Sequence, residues 1–314
     1  MPKTYKDLAG DGGSNIVGQV TEQLARLRAR MQDIRNKVAV VSGKGGVGKS
    51  AITVNLATAV AMQGAAVGIL DADLNGPSIA KMTGVRGQWP VITAEGVQPV
   101  RGPAEMRIMS MDLLLPHDET PVTWRATTPT DAYVWRSSME GTALREFLSD
   151  TIWGALDCLF LDLPPGTDRI AALADILPGL TGIILVTIPS EVSHLVVRKS
   201  LALARNLKIP MLGLIENMTG YDCQYCQTVG ELFRPGQGPR LARDFGIRFL
   251  GELPFDPRLA RSGDSGIPFV AIHQETMTGR MFQAMARELS VAIGLGQRNT
   301  QKEGSDEISL FKLR

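Results

Sequence analysis

The chain has 314 residues, 44% of them hydrophobic, and a formal net charge of +1. That length and apolar content suffice for one large buried core, and so balanced a charge excludes a surface that is basic or acidic throughout. No apolar run approaches the roughly 20 residues that cross a bilayer, and the Met1 end carries no signal-type apolar segment. With only three cysteines a disulfide-stapled secreted fold is not expected, so the chain reads as cytoplasmic, with no nucleic-acid or membrane partner expected.

Residues 1–14 are polar and end in Gly12-Gly13-Ser14, which reads as a loose arm. Beyond Ser14 and Asn15, either able to cap a helix, apolar residues recur at Ile16, Val20, Leu24, Leu27, Met31 and Ile34, the spacing of one amphipathic helix. It is expected to dock on the main domain or on a dimer mate. From Lys37 the pattern alternates: a buried strand over 38–41, a helix over 49–62 and a strand over 66–70, which together form a β-α-β unit. Further apolar runs at 156–161, 181–188, 211–215 and 249–253 leave room for crossovers between them, which predicts an α/β fold with a doubly wound, mostly parallel sheet flanked by helices. Between Gly76 and Trp135 that rhythm is lost, and an insertion of short strands and loops is expected. The chain thus divides into an arm and helix over 1–36, a nucleotide-binding domain over 37–296 and a polar tail over 297–314 that ends in Ile308-Ser309-Leu310-Phe311-Lys312-Leu313-Arg314.

Gly43-Lys44-Gly45-Gly46-Val47-Gly48-Lys49-Ser50 has the spacing G-x-x-x-x-G-K-S between a predicted strand and a predicted helix, the context a phosphate-binding loop requires. Glycines let successive backbone N–H groups curl toward phosphate oxygens, and the helix that begins at Lys49-Ser50-Ala51 adds the positive end of its dipole. Lys49 is expected to hold the β- and γ-phosphates of ATP, and Ser50 to offer its hydroxyl to Mg²⁺, a cation that takes hard oxygen ligands. Acids at the ends of neighbouring strands would orient the ion and the attacking water, and two places fit: Asp71-Ala72-Asp73, and Asp162 after Leu159-Phe160-Leu161.

The extra lysine, Lys44, makes this loop resemble the deviant Walker A of the MinD/ParA class of P-loop ATPases. That resemblance implies that Lys44 reaches across a homodimer to the partner's nucleotide, that Asp73 in a switch I segment positions water and Mg²⁺, and that Asp162 is the Walker B aspartate leading into switch II, Leu163-Pro164-Pro165-Gly166-Thr167. Within the class, Asp71-Ala72-Asp73-Leu74-Asn75-Gly76-Pro77-Ser78, Glu216-Asn217-Met218, the pair Cys223-x-x-Cys226, Trp135-Arg136 before a helix, and Leu250-Gly251-Glu252-Leu253-Pro254 resemble the Mrp/ApbC family of iron-sulfur cluster carriers over roughly residues 37–295. The resemblance implies that Asn217 contacts adenine. It also implies a weak ATPase that holds a 4Fe-4S cluster between two Cys223/Cys226 pairs, one from each subunit, and passes it to apo iron-sulfur client proteins.

Thiolates suit iron-sulfur clusters or zinc, and both commonly take four, whereas one chain supplies two. Cys158 lies inside an apolar run and reads as an inert core residue, and His117, His194 and His273 lack ligand spacing to the pair. A redox pair or vestigial cysteines stay open. So does a partitioning or positioning ATPase of the MinD/ParA kind acting on DNA or membrane, whose support is the basic N-terminal helix and the terminal 308–314 segment. The loop Cys223-Gln224-Tyr225-Cys226-Gln227 departs from the family's usual Cys-Pro-x-Cys-Gly, and the later glycine-rich word reads Pro235-Gly236-Gln237-Gly238.

Overall fold

The computed structural model describes residues 16–115, 129–177, 179–222, 225, 229–230 and 237–295. Helix α1 (Ile16–Gln32) precedes strand β1 (Ile34–Ser42), helix α2 (Lys49–Met62) and strand β2 (Val67–Asp71). A short helix α3 (Ile79–Met82) opens the irregular region, which holds β3 (Val91–Thr93), β4 (Gly96–Gln98), β5 (Val100–Arg101), β6 (Arg107–Met109) and a 3₁₀ turn over Met111–Leu114. Helix α4 (Pro129–Asp150) restores the alternation, followed by β7 (Leu156–Asp162), α5 (Asp168–Ile176), β8 (Gly182–Thr187), α6 (Glu191–Asn206) and β9 (Met211–Asp222). The chain continues through β10 (Val229–Gly230), α7 (Gly238–Asp244), β11 (Phe249–Phe255), α8 (Pro257–Ser265), α9 (Phe269–Ile272) and α10 (Met277–Ala292).

The main sheet runs β10-β9-β8-β1-β7-β2-β6-β5, with β11 beside β9, and only β10 and β5 run antiparallel to their neighbours. β1 sits in the middle, between β7 and β8, so the loop that leaves its C-terminal end opens at the crevice where ligands bind in doubly wound sheets. Alternate residues of β1 feed two cores. Val38 and Val40 face α2 and α10, whereas Ala39 and Val41 face the layer that contains Leu148, Leu173, Leu201 and Leu241. That is the period-2 consequence of a strand buried on both faces. Helix α2 is apolar around its whole circumference because it lies between the sheet and α10, and Ile52, Leu56 and Val60 are fully buried.

Two expectations are corrected. Ile34 belongs to β1 and pairs with Leu156, so the apolar spacing that runs on from Met31 crosses the end of the helix at Gln32. Trp135 and Arg136 do not precede a helix; they lie within α4, whose first residue is Pro129, a residue suited to the first helical turn because the N–H it lacks would have no partner there. The region between Gly76 and Trp135 does hold short strands and loops, β3 to β6, of which β6 pairs parallel with β2. Helix α1 docks against α4 and the start of β1 through Leu27 and Met31, both almost fully buried and each contributing about 1.5–3 kcal/mol, while Val20 and Leu24 stay exposed. The arm over 1–14 and the tail over 297–314 lie outside the described residues, as does His117.

Candidate functional site: a phosphate-binding loop and its carboxylates

The loop between β1 and α2 is shaped by its glycines. Gly46 and Gly48 have φ of 78° and 83°, the left-handed region that costs other residues about 1–2 kcal/mol. A Cβ on Gly43 would stand 2.2 Å from Val196 of α6, and one on Gly48 would stand 2.4 Å from the Asn217 side-chain nitrogen. Both positions therefore require glycine for space, and Gly48 for conformation as well. Gly48→Ala is expected to weaken ATP binding by at least about tenfold, which corresponds to 1.4 kcal/mol, as read by titration with a fluorescent ATP analogue.

Asp162 is the hub of the site. It is fully buried at the end of β7, and its Oδ2 lies 2.6 Å from Lys49 Nζ and accepts a hydrogen bond from Ser50 Oγ at 2.6 Å. Its Oδ1 accepts from Thr53 Oγ1 at 2.7 Å. Lys49 is itself only 7% exposed, so the ion pair is sheltered on both sides. Lys49 and Ser50 are thus brought into one contact group with Asp162, 112 positions after Ser50. The Ser50 hydroxyl and the Asp162 carboxylate form a pair of adjacent hard oxygens that fits Mg²⁺.

Asp71, fully buried and level with Asp162 across the β2–β7 ladder, shapes the next loop. Its Oδ2 accepts from the N–H groups of Ser78 and Ile79 at 2.9 and 3.1 Å and from Ser110 Oγ at 3.1 Å; its Oδ1 accepts from the Asp73 N–H at 3.2 Å. Burial, reinforced by the nearby Asp162 charge, pushes its carboxyl up to about 7 against the opposing pull of those backbone donors and of Lys49. Asp73 stands two residues beyond the strand, half-buried, its Oδ1 accepting from the Gly76 N–H at 3.3 Å. Lys44 is exposed, its carbonyl accepting from Ser42 Oγ. Among the described residues neither the Asp73 carboxylate nor the Lys44 ammonium touches the Lys49–Asp162 group.

On the other side of the loop a cleft of about 390 Å³ opens, lined by Gly48, Ala51, Asn217, Met218, Pro254 and Asp256 among others. Asn217 donates through Nδ2 to the Val47 carbonyl at 2.9 Å, which ties β9 to the phosphate loop, and Met218 beside it has φ of 59°, a strained conformation for a non-glycine residue. One residue earlier, buried Glu216 holds His194 of α6 at 2.9 Å through Oε1 and accepts the Gly238 N–H at 3.0 Å through Oε2. His194 is therefore a packing residue with a definite partner. His273 lies against the Phe269 ring, and Cys158 is fully buried with its thiol pushed well up by desolvation. Among the described residues no cluster of three or more His, Cys, Asp and Glu side chains could hold a metal. Cys223 and Cys226 lie outside the described residues, directly after the end of β9 at Asp222.

A parallel sheet with a glycine loop after its central strand, a lysine in that loop and an aspartate at the end of the adjacent strand defines a P-loop NTPase. The chain belongs to the ParA family of NUBPL iron-transfer P-loop NTPases, which matches residues 33–290. It is 43% identical over 262 residues to an iron-sulfur cluster carrier protein of Saccharolobus solfataricus, covering 83% of this chain and 85% of that one. A nucleotide-binding protein from Archaeoglobus fulgidus, solved in complex with ADP, superposes with a TM-score of 0.65 at 35% identity, over 77% of this chain and 90% of that one. The cell division ATPase MinD of Pyrococcus furiosus shares the fold at 19% identity, with a TM-score of 0.57 over 82% of this chain and 98% of that one.

Proposed function

We propose that this protein is an ATP-driven carrier of iron-sulfur clusters, a homodimer that holds a 4Fe-4S cluster between Cys223 and Cys226 of one protomer and the same pair of its partner. The observation that carries this reading is the path of β9. The strand bears Asn217 at the nucleotide cleft and ends at Asp222, one residue before the cysteine pair. Asn217 and Cys223 are six positions apart in sequence, so at most about 20 Å of chain separates them. Tyr225, between the cysteines in sequence, is 97% exposed, which suits ligands offered to a second subunit.

Nucleotide binding exchanges partners around Asp162. Lys49 moves from the carboxylate to the β- and γ-phosphate oxygens, and Ser50 with Asp162 would hold Mg²⁺, which would supply neutralising charge to the phosphates. Asp73 orients the attacking water, Asn217 meets the adenine, and Lys44 stabilises charge on the partner's transferring phosphoryl group. Hydrolysis is slow because its task is to reset a two-state dimer and so change how tightly the cargo is held. The clients are apo iron-sulfur proteins in the cytoplasm. No helix of the described residues is long and apolar enough to cross a membrane.

The test is iron, sulfide and zinc content of anaerobically reconstituted protein, together with its mass in solution. About four iron and four sulfide per dimer are expected, with a thiolate-to-iron absorption band. Zinc alone, or metal-free protein that still binds ATP, would overturn the carrier reading and leave a nucleotide switch with structural cysteines.

A further inference from the structure

Helix α4 presents Glu140 to both loops that follow the carboxylate-bearing strands. Its Oε1 accepts from Asn75 Nδ2 at 2.7 Å, in the loop after β2, and its Oε2 accepts from Arg169 Nη1 at 2.9 Å, in the first turn of α5 after β7. The Glu140 side chain is 12% exposed; its bond to Arg169 is part-buried, its bond to exposed Asn75 meets solvent, and the charged acceptor strengthens both. Beneath them lies a small cavity of about 60 Å³ lined by Leu74, Leu144, Leu163, Leu173 and Ile176 among others. The two loops therefore meet at this cavity, which Asn75, Glu140 and Arg169 also line. Helix α4, which carries Glu140, also packs Leu148 into the core and meets α1 on its outer side. Neither Asn75, Glu140 nor Arg169 lines the nucleotide cleft.

We propose that Glu140 is a positioning residue that couples the loop carrying Asp73 to the loop following Asp162, so that both take up their hydrolysis-competent arrangement together. The proposal rests on the ATPase reading above and adds a dependence that the phosphate loop alone does not require. One carboxylate with two donors makes the loops mutually dependent, because losing either donor loosens the carboxylate for the other. A direct link between the strand ends, the Ala72 N–H donating to the Asp162 carbonyl at 3.0 Å, keeps the loops adjacent but engages no side chain that could respond to nucleotide.

The experiment measures steady-state kinetics of the reconstituted full-length protein with Glu140→Ala, Glu140→Gln, Asn75→Ala, Arg169→Ala and the double variant Asn75→Ala/Arg169→Ala. It adds deuterium uptake of the 72–78 and 163–167 segments with and without a non-hydrolysable ATP analogue. Glu140→Ala is expected to lower kcat about tenfold while KM for ATP stays within about twofold, the signature of a group that acts in the transition state without binding substrate. Glu140→Gln keeps one acceptor oxygen and should fall between, which guards against a folding defect in the alanine variant. The double variant should be no slower than Glu140→Ala, whereas independent roles predict that the two single effects multiply. In the unsubstituted protein both segments should gain protection with the analogue; in Glu140→Ala the 72–78 segment should lose that gain. A KM increase that matches the kcat loss, multiplying single effects, or normal protection of both segments in Glu140→Ala would overturn the coupling. If the unsubstituted protein hydrolyses no ATP, the ATPase reading fails, and the deuterium measurement still decides whether Glu140 links the loops.

Discussion

Lys49→Ala is expected to reduce ATP hydrolysis by at least about a thousandfold, the upper range for removing a single electrostatic donor from a developing anion. The structure adds a second consequence. Lys49 is the cation paired with fully buried Asp162 at 2.6 Å, and removing one partner of a buried ion pair costs about 3–5 kcal/mol because the remaining charge is left uncompensated. The low end of that range applies here, since the hydroxyls of Ser50 and Thr53 still donate to the two Asp162 oxygens. The variant should therefore melt several degrees lower without nucleotide as well as losing activity. Lys49→Arg separates the two effects: it keeps the charge beside Asp162, and with it most of the stability, but offers a planar fork in place of a compact ammonium and should remain catalytically poor. Phosphate release and thermal denaturation, measured on both variants without nucleotide and with saturating ADP, give the answer. Normal hydrolysis by Lys49→Ala would remove this lysine from the phosphate site, and an unchanged melting temperature would show that the ion pair gives no net stability.

The β-α-β core was legible because its signals are local. The strand over 38–41, the loop over 43–50 and the helix over 49–62 are contiguous words, and the helix has the bounds Lys49–Met62 because Gly48 in the left-handed region stops it on one side and Gln63-Gly64 on the other. Periodicity alone could not have found that helix, since it is apolar on every face. What stayed hidden is polar and distant in sequence. Glu140 is 65 positions from Asn75 and 29 from Arg169, and Glu216 is 22 from both His194 and Gly238; none of these contacts leaves a repeat or a spacing in the chain. Asp71 was in view as part of Asp71-Ala72-Asp73, yet its work as acceptor for the Ser78 and Ile79 N–H groups depends on how the loop turns back, which no pattern encodes. Its neighbour Asp73, singled out by resemblance, is the more exposed of the two, and among the described residues its carboxylate accepts only the local Gly76 N–H.

The likeness to MinD at 19% identity concerns architecture, so the use to which this chain puts nucleotide must be argued from what its scaffold carries. Here that is the cysteine pair at the end of β9, and substitution there has the second large expected effect. In a symmetric dimer every substitution occurs twice, so Cys223→Ala or Cys226→Ala alone removes two of the four thiolates a 4Fe-4S cluster takes. Each single variant should lose essentially all of the visible chromophore and of the bound iron. ATP affinity should change by less than about twofold, because the groups proposed to hold nucleotide are fixed by other contacts: Lys49 and Ser50 by Asp162, and Asn217 by the Val47 carbonyl. Cys→Ser exchange at either position replaces a soft thiolate by a hard oxygen and should leave at most a labile cluster. Iron assay, visible absorbance and nucleotide titration on the same preparations separate the two sites. A double cysteine variant that kept its chromophore would place the cluster elsewhere. Loss of ATP binding along with the cluster would mean that the β9 segment is shaped by its cargo as far back as Asn217, so that cluster and nucleotide would be linked through that strand even without hydrolysis.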